Sequence, residues 1–81
     1  MHIENLVKMA NQIGEFFEAM PDRDEATADI ASHIKRFWEP RMRRALLAHM
    51  DATGGEGLEP IVIAAVTRHR GKVEVAQPAA A

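Results

Sequence analysis

From Ile3 to Met20, apolar side chains return at steps of three and four: Ile3, Leu6, Ala10, Ile13, Phe17 and Met20. Glu4, Lys8, Asn11, Glu15 and Glu18 return the same way on the opposite side. This period predicts an amphipathic helix over residues 3–20. Val7, Met9 and Phe16 widen the apolar arc to about half the circumference, against roughly 100° for an ordinary surface helix. A helix that apolar must touch more than one neighbour. Gly14 falls inside the arc, where it costs about 1 kcal/mol of helix propensity. Close approach of another helix is the expected return for that cost.

The stretch "MPDRDEA" stops this helix and starts the next. Pro21 cannot continue a helix. Asp22 is placed as an N-cap, with acids in the following turn where the helix dipole favours them. The second helix is expected to run to about Trp38, with Ala26, Ile30, Ala31, Ile34, Phe37 and Trp38 on its apolar arc. Pro40 drives Glu39 out of the α region and suits the first position of a third helix. Met42, Leu46, Leu47 and Met50 form that helix's stripe, and Gly54 and Gly55 end it. Pro60 then opens a short fourth helix carrying Ile61, Val62, Ala65 and Val66. "IVIAAV" also fits a buried strand, but a lone strand would lack a partner, so helix is preferred. After Gly71 the chain has little to bury. The predicted fold is all-α: a compact bundle of three main helices plus a short fourth over residues 1–70, with a flexible, disordered tail over 71–81.

Composition narrows this picture. Eighty-one residues allow one domain with a thin core, which a partner would help to complete. The 47% hydrophobic content is inflated by alanine. With no cysteine there is no disulfide, no thiolate metal site and no iron–sulfur ligation. A cytosolic setting is compatible with that. "MHIENLVKMANQ" lacks the uninterrupted apolar stretch of a signal peptide. No apolar run approaches the roughly 18 residues needed to span a membrane. The net charge of −2 is unevenly spread. Residues 1–34 carry two bases and seven acids, 35–49 five bases and one acid, and 50–81 three bases and four acids. One basic island lies inside an acidic chain.

Candidate chemistry is sparse. His2, His33, His49 and His69 lie on different elements, and no H-x-x-x-H or E-x-x-H pair exists. Asp29 and His33 are one helical turn apart, yet both His33 and His49 fall at the edges of apolar arcs, as boundary residues do. Glu15, Glu18, Asp22, Asp24, Glu25 and Asp29 fall on predicted solvent faces, whereas catalytic carboxylates need burial or a close partner. No nucleophile elbow, phosphate loop or dinucleotide fingerprint is present. The remaining feature is "FWEPRMRR", residues 37–44. Surface balancing of the local acids and docking to another protein both account for it, the latter because Trp and Arg are enriched at interface hot spots. A nucleic-acid site is disfavoured, because readers of phosphate usually show a wide basic face and a basic pI, and this chain's pI is about 6.0. Arg43 falls inside the apolar arc of the third helix. Either its stem lies over the core, or its guanidinium pairs with an acid of the first helix or of a partner. The expected docking residues are Phe37, Trp38, Pro40, Arg41, Arg43 and Arg44.

Three blocks, "MANQI", "FWEPRMR" and "GLEP", together with their order, resemble the delta subunit of soluble NAD-dependent, molybdopterin-containing formate dehydrogenases. The resemblance covers roughly residues 5–66. One departure is Glu39, where that family is associated with Asp before the proline. The resemblance implies a cytoplasmic, non-catalytic accessory subunit that supports assembly or stability of the catalytic subunit. It implies no cofactor in this chain. The alpha subunit would carry bis-molybdopterin guanine dinucleotide and iron–sulfur clusters, the beta subunit FMN, and the gamma subunit further iron–sulfur. The implied partners are the catalytic alpha subunit and the rest of the complex, with no nucleic acid and no membrane. The alternative, from the basic island alone, is a small helical nucleic-acid-binding regulator.

Overall fold

The computed structural model describes residues 2–75. Its elements are α1 (Ile3–Glu18), α2 (Arg23–Phe37), α3 (Pro40–Thr53), α4 (Pro60–Arg68) and a one-turn α5 (Arg70–Val73). "IVIAAV" is helical, as preferred above.

Each boundary follows from local chemistry. Asp22 caps α2 by accepting from the backbone N–H of Asp24 at 2.9 Å and of Glu25 at 3.2 Å. Lys35 and Arg36 occupy the last turn, complementing the dipole at that end. Trp38 leaves the helix in an extended conformation, as the residue preceding the Glu39–Pro40 corner. Pro40 and Pro60 sit in the first turns of α3 and α4, where a missing N–H costs nothing. Gly54 ends α3 in the left-handed region at φ 75°.

The helix α2 is central: it packs on α1, α4 and α5, while α1 also packs on α3 and α4. The core gathers Leu6, Ala10, Ile30, Ile34, Leu46, Ile61, Val62 and Val66, all at most 2% exposed. Gly14 has the neighbour its position called for. A Cβ there would stand 2.6 Å from Val62 Cγ2 and 3.1 Å from Ile61 Cγ2. The α1–α4 crossing is this close because position 14 carries no side chain, and a Cβ there would push Val62 aside.

The blocks "MANQI" and "GLEP" meet in space. Asn11 donates from Nδ2 to the Gly57 carbonyl at 3.0 Å and accepts at Oδ1 from the Glu59 N–H at 2.9 Å. One side chain of α1 therefore fixes both sides of the turn that launches α4. Thr53 secures the start of the same loop, its hydroxyl accepting from the N–H groups of Gly55 and Glu56.

The fold continues past the boundary expected at Gly71. Val73 is fully buried in the core. Arg70 holds Asp51 of α3 with two bonds, at 3.0 and 2.9 Å, and Lys72 Nζ donates to Ser32 Oγ of α2 at 3.3 Å. A single valine on a one-turn helix has no period to detect, which is why residues 71–73 read as having little to bury. The rest of the expected tail, residues 76–81, lies outside the described residues.

Candidate functional site

The outward side of α1 carries Met9, Ile13 and Phe16 at steps of four and three. Phe16 is 75% exposed and Met9 40%. On α2, His33 and Phe37 are one turn apart, and Phe37 is 67% exposed. Between the two helices these side chains line an open groove of about 470 Å³ with Trp38 at its floor. The apolar excess of α1 noted in its sequence is thus divided. Leu6 and Ala10 face the core, Phe17 lies half-buried at the α2 contact, and Met9 and Phe16 are left facing outward.

An aromatic row crosses the groove from one helix to the other. Phe16 and Phe17 meet edge to face with ring centroids 5.0 Å apart. Phe17 and His33 follow at 6.2 Å, and His33 and Phe37 at 4.7 Å. The Arg36 guanidinium carbon lies 5.8 Å from the Phe37 ring centroid, within cation–π range. These contacts hold the exposed rings in place without covering them.

The six expected docking residues divide. Phe37 joins the groove, and Pro40, Arg41 and Arg44 are exposed at the α2–α3 corner. Trp38 is only 5% exposed and belongs to the core cluster, so it has little surface left for a partner. Its ring closes the junction of α2 with the rest of the bundle. Arg43 is half-buried. It reaches the Glu74 carbonyl with Nη1 at 3.5 Å rather than an acid of α1, and its Nε is buried without a partner. Met9, Ile13, Phe16, Phe17 and His33 were not expected at the site. The over-wide arc of α1 was the signal that pointed to the four on α1; for His33 on α2 the signal was its place at the edge of an apolar arc.

Charge around the groove is polarised. Arg23, Arg68 and Arg70 form ion pairs with Glu18, Asp24, Asp51 and Glu74. Among the described residues, none of Lys35, Arg36, Arg41, Arg43 and Arg44 does. Beyond Gln12 on the other flank, Glu15 and Glu59 approach each other. Their shared hydrogen bond raises the Glu59 pKa above its ordinary 4.5, helped by desolvation and by the charges of Glu15 and Glu18.

His49 Nε2 is hydrogen-bonded to the Glu56 carbonyl at 2.7 Å. His69 lies at the junction of α4 and α5, its Nε2 buried without a partner among the described residues. Among the described residues, no three His, Asp or Glu side chains are grouped to hold a metal ion, and no helix is long and apolar enough to cross a membrane.

A family model described as the NADH-dependent formate dehydrogenase delta subunit, FdsD, matches residues 5–66. No curated protein and no solved structure gives a match. The matched span includes the whole groove, the basic corner, and the Asn11 clamp on Gly57 and Glu59. It stops before α5.

Proposed function

Because this chain belongs to the delta-subunit family of NADH-dependent formate dehydrogenases, we propose that it is a non-catalytic accessory subunit of such a complex in the cytoplasm. It docks through the α1–α2 groove and supports assembly or stability of the catalytic subunit. The redox cofactors, bis-molybdopterin guanine dinucleotide, iron–sulfur clusters and FMN, are carried by the other subunits.

The observation that carries this reading is the pair of phenylalanines, 75% and 67% exposed, on the rims of one apolar groove. Burying a Phe side chain is favourable by about 1.5–3 kcal/mol. Contiguous exposed apolar patches are uncommon on monomers and mark interaction sites. Aromatic residues are also the ones enriched in interface cores and hot spots. The family supplies the complex, and the groove supplies a surface that gains from being covered by it.

Deleting the gene and purifying the remaining subunits tests the proposal. The expected outcome is fewer assembled complexes and lower formate-dependent NAD reduction per cell. Full assembly and full activity without this chain refute it. A Phe16→Asp variant is expected to fold as the native chain does and to co-purify poorly.

A further inference from the structure

We propose that the groove receives one α-helix of a partner subunit, apolar on the face turned to Phe16 and Phe37 and acidic at the end that meets Arg36 and Arg41 of the α2–α3 corner. This rests on the docking role above and specifies the shape and charge of what is held.

Three features point to a helix of that kind. First, every described element is a helix, so no sheet edge is present to pair with an extended segment. A guest lying in an apolar groove must then satisfy its own backbone donors and acceptors, and a helix does so internally. Second, the spacing fits. Met9 to Phe16 spans about 10 Å along α1, roughly two turns. A helix laid lengthwise in the groove places two successive turns of one face along that span.

Third, charge selects the end. The five cations of residues 35–44 have no carboxylate partner among the described residues. Arg36 lies against the Phe37 ring, where a guest side chain beside the apolar face would meet it. On the opposite flank, Glu15 and Glu59 already crowd one another and would repel further acids. The guest is therefore acidic at the α2–α3 corner and not along α1. Such complementary fields steer docking and fix its register more than they add raw affinity.

Photocrosslinking in the purified complex tests this, with benzoylphenylalanine replacing Phe16 in one sample and Phe37 in another. Both positions are expected to capture the same stretch of one other subunit, at residues three, four or seven apart, with Asp or Glu at one end. Capture of a second copy of this chain, or of residues two apart as in a strand, overturns the inference. So does co-purification with crosslinks elsewhere, an outcome that leaves the accessory-subunit role standing. If the native chain fails to co-purify at all, that role falls, and this inference with it. An Arg36→Glu/Arg41→Glu double variant, shown by circular dichroism to be folded, is expected to need about tenfold more chain to fill the complex. Unchanged occupancy overturns the acidic end.

Discussion

Replacing Asn11 with alanine removes both bonds that tie the "GLEP" turn to α1, the donation to Gly57 O and the acceptance from Glu59 N–H. A hydrogen bond contributes a net ~0.5–1.5 kcal/mol, so the pair is worth about 1–3 kcal/mol. The Glu59 site is only partly open to water, so its N–H regains solvent bonding incompletely. Taking about 2 kcal/mol, a domain of this size loses about 8–16 °C in Tm. Thermal melts by circular dichroism measure the loss. Hydrogen exchange at the Glu59 amide localises it, because that proton should exchange faster while those in the middle of α2 are less affected. Gln12→Ala is the control: Gln12 is exposed and its side chain makes no hydrogen bond to the described residues. Its effect should stay within about 0.5 kcal/mol. A Tm for Asn11→Ala within about 2 °C of native would correspond to well under 1 kcal/mol and would refute the clamp.

Trp38→Ala removes a core side chain and is expected to cost about 3–5 kcal/mol, a large share of the 5–15 kcal/mol that stabilises a typical domain. Phe37→Ala next to it should change stability little. Urea titrations of the two variants decide whether position 38 serves the fold, and equal midpoints would contradict its burial. Gly14→Ala sets a helix-propensity gain of about 1 kcal/mol against an overpacking cost of about 1–3 kcal/mol. A stabilised variant would show that α1 and α4 are not in close contact there. For Glu59, the folded pKa is raised, so its stabilising contribution is present below the ordinary 4.5 and is lost as pH rises through the folded value. Glu59→Gln keeps a donor for Glu15 at every pH, so its Tm should gain on the native Tm between pH 4.5 and 7. A constant difference across that range removes the Glu15 contact as the cause.

Features that depend on neighbours along the chain were legible in the sequence. Helix period, proline and glycine punctuation and the Asp22 cap are set within a few residues, because a helix closes its hydrogen bonds at a separation of four. The bounds of α1, α2 and α3 and the start of α4 follow from them to within about two residues; the one-turn α5 does not. The excess apolar width of α1 was legible too, together with the implication of more than one neighbour. Which of its residues would stay uncovered was not, because that depends on where α2, α3 and α4 take up positions around it.

Tertiary structure decided the site. "FWEPRMRR" reads as one docking cluster, yet Trp38 turns into the core and Phe37, one residue earlier, turns out. Successive positions on a helix point about 100° apart, and the break before Pro40 separates them further. Arg43 fell inside the apolar arc of α3 on a helical wheel, which left its partner open, and the chain after α5 returned across α3 and offered it the Glu74 carbonyl. Asn11 appeared as one more polar residue on an outer face, until the chain brought residues 57 and 59 back to it. Sequence alone determined the four longer helices, their punctuation and the surplus of apolar surface, all local consequences of side-chain order. Only the packing of distant segments decided which surplus residues became core, which became the groove, and which cations were left unpaired beside it.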